Sequence, residues 1–107
     1  MNEEPARNIL AIEPVDGGLR IIGQVDLSNM DSFREAVTEA ASGAWELVLD
    51  LAECTYMGSE GLSVLIETSK GLGEGSLTLR GPSDFLQKVF DLTGIERLPN
   101  VRVERTA

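Results

Sequence analysis

The sequence predicts a single α/β domain with a mixed, mostly parallel sheet. Two β-type segments flank an Asp-Gly turn near the start, and three segments of helical periodicity then alternate with three further β-type segments. A chain of 107 residues, 42% of them apolar, is long enough to form one core without disulfides or metals. The predicted order is β-β-α-β-α-β-α-β, in which an N-terminal β-hairpin precedes strand–helix–strand crossovers and the helices pack against the sheet.

The N-terminal hairpin is predicted from residues 8–13 and 19–25. Asp16-Gly17-Gly18 separates these two runs, and glycine adopts the positive φ that a tight hairpin turn requires. Residues 1–7 show no periodicity, so we expect a flexible tail there. The domain is therefore predicted to span residues 8–104.

The three predicted helices each have an apolar face and signals at their ends. Ser28 and Asp31 have the spacing of a capping box before the first helix. Gly71 and Gly73 close the second, while Ser83 and Gly94 have the positions of an N-cap and a C-terminal cap for the third. The residues at helical spacing are Phe33, Ala36, Val37, Ala40 and Ala41, then Leu62, Leu65, Ile66, Ser69 and Leu72, then Phe85, Leu86, Val89 and Phe90.

The later strands differ in their patterns. The nearly continuous apolar run over 45–51 predicts a central strand covered on both faces. Residues 76–80 alternate with period two, which predicts one apolar face, and 101–103 form a short final strand. The segment between the central strand and the second helix is predicted to be a loop.

Composition excludes several classes of function. The net charge is −9 and the nine basic residues are scattered, so we expect neither nucleic-acid binding nor attachment to an anionic membrane. No apolar stretch has membrane length and no targeting signal opens the chain, so a cytoplasmic protein without membrane insertion is expected. The single cysteine, Cys54, cannot form a disulfide within the chain and is interpreted as a small core residue.

Enzymatic activity is not expected. The chain has no histidine, so no imidazole base is available to a nucleophile, and no residues have metal-ligand spacing. The glycine-rich segment 71–75 lacks the preceding strand and the lysine of a phosphate-binding loop, which favours a helix-to-strand turn. An acidic catalytic group of Asp26, Asp50 and Ser59 is a less favoured alternative because it lacks a general base. Neither a cofactor nor a metal is expected.

The candidate site is centred on Ser59, in the segment 57–62 that follows the central strand. The carboxyl ends of parallel strands are where α/β sheets place functional loops. A helix N-terminus also offers free amides and a positive potential, which would stabilise a phosphate on Ser59. Serine is also among the best N-cap residues, and the residues alone favour an ordinary cap that contributes about 1 kcal/mol and has no further role. Gly61, in the first helical turn, weakens the helix by roughly 1 kcal/mol relative to alanine, which indicates a close approach or an uncrowded surface.

Five short segments, in order, resemble one known family. They are Gly-Gln-Val-Asp-Leu at 23–27, Val-Leu-Asp-Leu at 48–51, Thr-Tyr-Met-Gly-Ser-Glu-Gly-Leu at 55–62, Leu-Arg-Gly-Pro-Ser at 79–83 and Leu-Thr-Gly-Ile at 92–95. Their order and spacing, from about residue 8 to residue 103, resemble those of the STAS family. The similarity is greatest to the stand-alone anti-sigma-factor antagonists of bacteria.

The resemblance implies a mixed sheet, no cofactor and no catalysis. It implies that Ser59 is phosphorylated by the partner, an anti-sigma factor with a histidine-kinase-like fold that acts as a serine kinase. The unmodified form would bind this partner, the phosphorylated form would release it, and a serine phosphatase would reset the switch. The partner-binding residues expected from the match are Asp26, Ser28, Asn29, Gly58, Ser59, Glu60 and Gly61.

Three features differ from the family pattern. Gly58 stands where the family usually has Asp, and Glu60 stands where Ser or Thr is usual. Members generally continue into a further C-terminal helix, whereas this sequence ends at Ala107, so we expect surface left for a partner or for a second copy in a homodimer. A second interpretation therefore remains: a constitutive STAS binding subunit without a phospho-switch. Such a subunit could bind the ATPase of a lipid-transport ABC system or form part of a larger signalling assembly.

Overall fold

A computed structural model describes residues 10–105. The predicted tail at 1–7 and the first two residues of the predicted first strand lie outside the described residues. Short 3₁₀ turns precede α1 and β6. The strands and helices are β1 (Leu10–Val15), β2 (Gly18–Val25), α1 (Met30–Ala41), β3 (Glu46–Asp50), β4 (Cys54–Met57), α2 (Ser59–Gly71), β5 (Ser76–Arg80), α3 (Asp84–Thr93) and β6 (Val101–Glu104).

The sheet is mixed and mostly parallel, which confirms the predicted fold class. Its strand order is β1-β2-β3-β5-β6, and β4 pairs with β2 beside this path. Among the strand pairs within residues 10–105, only β1–β2 is antiparallel. Strand β4 is an addition to the predicted order, because residues 54–57 were assigned to a loop.

The hairpin turn forms where it was predicted. Val15 is opposite Gly18, so Asp16 and Gly17 form a two-residue loop, and Gly17 has a φ of 77°. A Cβ atom on Gly18 would lie 1.7 Å from the carbonyl oxygen of Val48. The second glycine is therefore required because the backbone of β3, which pairs with β2, lies directly against residue 18.

Strand β2 pairs with two successive strands on one side. Gly18 to Arg20 pair with β3, whereas Gly23 to Val25 pair with β4, and the register shifts between Gly23 and Gln24. The amide of Gly58, directly after β4, donates to the carbonyl oxygen of Val25 at 3.0 Å. The ends of β2 and β4 consequently lie side by side, and the chain leaves both strands at the same edge of the sheet.

The core lies on one face of β3. Leu47 and Leu49 are buried, whereas Val48 is half-buried and Glu46 is exposed. The prediction of a strand covered on both faces is therefore wrong, and so is the inclusion of Trp45, which is 65% exposed. Large fully buried side chains elsewhere include Ile21 of β2, Phe33 of α1, Leu51, Leu65 of α2, Leu77 and Leu79 of β5, Leu86 and Phe90 of α3, and Ile95.

The helix ends confirm some of the predicted caps. The side chain of Ser83 accepts a hydrogen bond from the amide of Leu86, and Gly94 has a left-handed φ of 73°. The capping box predicted at Ser28 and Asp31 is wrong. Asp26 instead caps a 3₁₀ turn, Leu27–Asn29, that precedes α1, so the signal lies two residues earlier than predicted.

Candidate functional site

Two segments meet at the carboxyl edge of the sheet. The loop after β2 and the start of α2 lie next to each other because β2 and β4 are parallel neighbours. Five of the seven residues predicted for partner binding share one shallow concavity with Leu27, from the loop expected to face the partner, and with Tyr56, which was not predicted. The concavity is lined by Asp26, Leu27, Ser28, Tyr56, Gly58, Ser59 and Glu60.

The loop after β2 is held by its own side chains. Asp26 Oδ1 accepts hydrogen bonds from the amide of Ser28 at 3.0 Å and from its hydroxyl at 2.6 Å. Asn29 Oδ1 accepts from the amide of Asp26 at 3.0 Å, and Asn29 Nδ2 donates to the carbonyl oxygen of Gln24 at 2.8 Å. Asn29 therefore shapes the loop from within, while Asp26 and Ser28 contribute to its surface.

Ser59 is the first residue of α2 and does not cap it. The N-cap is Gly58, which has extended backbone angles (φ −78°, ψ 175°) and supplies no capping side chain. The interpretation of Ser59 as an ordinary N-cap is therefore wrong. Its exposed hydroxyl donates to Glu60 Oε1 at 3.3 Å. Within residues 10–105 no side chain caps this helix, so the amides of its first turn can bind an anion.

Gly61 lies beneath this surface. A Cβ atom at residue 61 would be 2.7 Å from Met57 Cγ and 3.0 Å from Val25 Cγ1. The close approach that glycine indicated here is confirmed, and it is an approach of α2 to β2 and β4. Gly61 is buried, so it positions Ser59 from below.

The charged side chains that line the concavity around Ser59 are carboxylates. Asp26 and Glu60 flank the hydroxyl, and neither forms an ion pair with another described residue. Asp50 Oδ2 instead lies 3.4 Å from Arg20 Nε, and Asp50 Oδ1 accepts a hydrogen bond from the amide of Ala52. Asp50 does not line the concavity, so the structure gives no support to a catalytic group of Asp26, Asp50 and Ser59.

Three large apolar side chains are exposed near the site, and two of them, Tyr56 and Phe85, were not predicted as site residues. Leu27 is 74% exposed, Tyr56 42% and Phe85 50%. The rings of Tyr56 and Phe85 stack, with centroids 6.3 Å apart and an interplanar angle of 21°. The placement of Phe85 in the buried stripe of the third helix is therefore wrong. Its exposure could have been suspected because Leu86, Val89 and Phe90 already complete one helical face.

Among residues 10–105, no three His, Cys, Asp or Glu side chains are grouped as metal ligands would be. The helices found in that part of the chain are too short or too polar to cross a membrane. Cys54 is buried, as expected of a core residue, and burial raises the pKa of its thiol.

Proteins similar to this chain in sequence and in structure include anti-sigma-factor antagonists. The family model described as "Mlab, STAS domain" matches residues 9–101. The anti-sigma-B factor antagonist of Bacillus subtilis is 31% identical over 85 residues, covering 78% of each chain. An anti-sigma factor antagonist from Mycobacterium paratuberculosis superposes with a TM-score of 0.74 at 22% identity, covering 88% of this chain and 84% of its own. The Bacillus cell fate determinant SpoIIAA in its phosphorylated form superposes with a TM-score of 0.63 at 20% identity, covering 89% and 90%. The chain belongs to the STAS domain family.

Proposed function

We propose that this protein is a cytoplasmic anti-sigma-factor antagonist. In this proposal it is a non-catalytic module that binds a kinase-like anti-sigma factor through the face around Ser59 and is released when Ser59 is phosphorylated. The observation that carries the proposal is the exposed Ser59 hydroxyl at the uncapped start of α2, beside the Asp26 loop. The B. subtilis relative, an anti-sigma-B factor antagonist by name, supports the class of partner.

The geometry suits an acceptor whose modification breaks an interface. The hydroxyl is on the surface, so a kinase can reach it, and the free amides of α2 would stabilise the product. A phosphoserine adds about −1.5 to −2 charges. Asp26 and Glu60 already place two carboxylates there, neither of them in an ion pair with a residue in the range 10–105. Burying the modified site against a partner therefore requires desolvation of three neighbouring anionic groups. We expect release to follow from that cost and from the bulk of the phosphate, with a serine phosphatase restoring the binding form.

Glu60 carries the carboxylate that the family usually has at residue 58. Its Oε1 accepts a hydrogen bond from the Ser59 hydroxyl at 3.3 Å, so a carboxylate still orients the phosphate acceptor, from the following residue instead of the preceding one. The cognate kinase must therefore accept a glycine before the serine.

The test uses the purified histidine-kinase-like anti-sigma factors encoded by the source organism, one at a time. We expect one of them to bind the unmodified protein and, with ATP, to phosphorylate Ser59, as mapped by mass spectrometry. Ser59→Asp should weaken this binding at least 10-fold, which is about 1.4 kcal/mol. Ser63→Asp is the matched control, because Ser63 is also exposed and lies one turn along α2. If no kinase binds, or if the label lies elsewhere, the proposal is wrong.

A constitutive STAS binding subunit is the second candidate. The absence of a side chain at Gly58, where a kinase would meet an Asp in the usual family pattern, favours it. Its partner would be the ATPase of a lipid-transport ABC system or a larger signalling assembly, and binding would not depend on Ser59. A stable complex that tolerates Ser59→Asp as well as Ser63→Asp would support this candidate over the switch. Sedimentation of the protein alone tests for a homodimer.

A further inference from the structure

The exposed large apolar side chains are concentrated beside Ser59. In the described part of the chain, five such residues are exposed, and three of them lie at or next to the concavity. The other two, Trp45 and Leu92, lie before β3 and in the last turn of α3. We call Leu27, Tyr56 and Phe85 the apolar ridge.

The ridge is assembled from three separate elements. Leu27 belongs to the loop after β2, Tyr56 to β4 and Phe85 to the first turn of α3. Tyr56 joins the other two, because it lines the concavity together with Leu27 and stacks on the ring of Phe85. Its hydroxyl also lies close to the backbone of Gly58, within 3.6 Å of the position a Cβ atom would take there. The ridge therefore runs directly past Ser59.

Carboxylates surround the ridge. Asp26 precedes Leu27, Asp84 precedes Phe85, and Glu60 lies across the concavity. None of these three carboxylates forms an ion pair with a residue in the described range. Lys88, one turn along α3 from Phe85, is a single positive charge beside them. The surface is thus apolar at its centre and acidic at its border, and the whole chain has a net charge of −9.

We propose that the apolar ridge is the energetic centre of the partner interface. It inserts into an apolar pocket of the anti-sigma factor whose border carries Lys or Arg side chains. This inference rests on the proposed function for the class of partner. Interfaces draw most of their binding energy from a few central aromatic side chains surrounded by polar groups. Uncompensated carboxylates around such a centre select a basic partner and accelerate encounter.

Phe85 is the residue that tests this inference most cleanly. Phe85 is 50% exposed, so its truncation should destabilise the fold less than truncation of a core phenylalanine would, and thermal unfolding of the variant checks that the fold is kept. We expect Phe85→Ser to weaken binding of the kinase identified above by at least about 30-fold, the effect of a central hot-spot residue. Leu92→Ser is the matched control, since Leu92 is on the same helix and 88% exposed. It should leave affinity unchanged.

The outcomes separate the two proposals. If Ser59→Asp weakens binding but Phe85→Ser and Leu27→Ser do not, the ridge is overturned and the proposed function stands. Charges are strongly screened as salt is raised from about 50 to 500 mM. If the association rate of the wild type does not fall over this range, the partner's pocket is not bordered by Lys or Arg side chains, and that part of the proposal is wrong. If no kinase binds, a photo-cross-linking amino acid at residue 85, with one at residue 92 as control, tests the ridge in cells. Cross-links from 85 to an apolar pocket flanked by Lys or Arg support it, and their absence overturns it.

Discussion

Gly61 and Gly71 lie in the same helix but have different surroundings, and alanine at each should change stability with opposite sign. A Cβ atom at residue 61 would meet Met57 Cγ at 2.7 Å and Val25 Cγ1 at 3.0 Å, whereas at residue 71 it would meet nothing within 4 Å. Neither glycine has a positive φ, so the backbone tolerates alanine at both. The pair isolates the close approach that sets the position of Ser59.

The magnitudes follow from two opposing effects. Alanine is more favourable than glycine in a helix by up to about 1 kcal/mol, and this gain applies to both sites. At residue 61 it is opposed by overpacking, which typically destabilises by about 1–3 kcal/mol. The contact is with the middle of the Met57 side chain and with a stiff β-branched valine, so relief is difficult. We expect Gly61→Ala to destabilise by about 1 kcal/mol and Gly71→Ala to stabilise by up to about 1 kcal/mol.

Urea unfolding of both variants and the wild type measures the difference. The two variants should differ by about 2 kcal/mol in free energy of unfolding, or roughly 8 °C in melting temperature for a domain of this size. The reasoning is refuted if Gly61→Ala is as stable as Gly71→Ala. Such a result would mean that the Met57 and Val25 side chains move aside at no cost in free energy. Glycine at 61 would then not be needed for the approach of α2 to the sheet.

Three further predictions concern single residues. Gly58→Asp should stabilise the protein by several tenths of a kcal/mol in thermal unfolding, because an N-cap carboxylate accepts the free amides of α2; no gain would contradict the cap geometry. Asn100→Asp should destabilise by about 2 kcal/mol in urea. Its Nδ2 donates to the carbonyl oxygens of Ser69 at 2.6 Å and Gly75 at 3.0 Å, which a carboxylate would repel. Cys54 has a pKa raised by burial from an ordinary value of 9.0, so the unfolded chain loses this proton first and stability falls as pH rises above that value. Cys54→Ala should therefore lose less stability than wild type between pH 8.5 and 10.5, and equal slopes would refute the burial argument.

Local signals in the sequence were sufficient for most of the fold. The turn at Asp16-Gly17, the cap at Ser83 and the left-handed Gly94 each depend on a few neighbouring residues. The fold class followed from the alternation of helical and β-type segments, and it is confirmed. Strand β4 was missed because it has four residues and no apolar alternation. Its existence depends on pairing with β2 after a register shift at Gly23, which is a long-range contact.

The candidate site was predicted only in part, because its assembly also depends on long-range contacts. Ser59 and the Asp26 loop were placed together by the family resemblance, and the structure brings them together through the β2–β4 pairing. Tyr56 was not singled out because it was assigned to a loop. Phe85 was assigned to the core because its spacing fits an apolar helical face. The spacing of apolar residues does not show whether an apolar stripe is wider than the surface against which its helix packs. A side chain at the margin of such a stripe is therefore assigned to the core incorrectly.

The joining of distant segments by the β2–β4 pairing also links partner binding to the lifetime of the protein. A partner that contacts both the Asp26 loop and Ser59 binds only the folded chain, because those segments are neighbours only after β2 and β4 have paired. At a free concentration of 100 times its dissociation constant, such a partner stabilises the fold by about 2.7 kcal/mol. Release of the partner removes that stabilisation, so the free form unfolds more often and is cleared more rapidly by proteases. A switch at Ser59 would thereby regulate the amount of the protein as well as its binding.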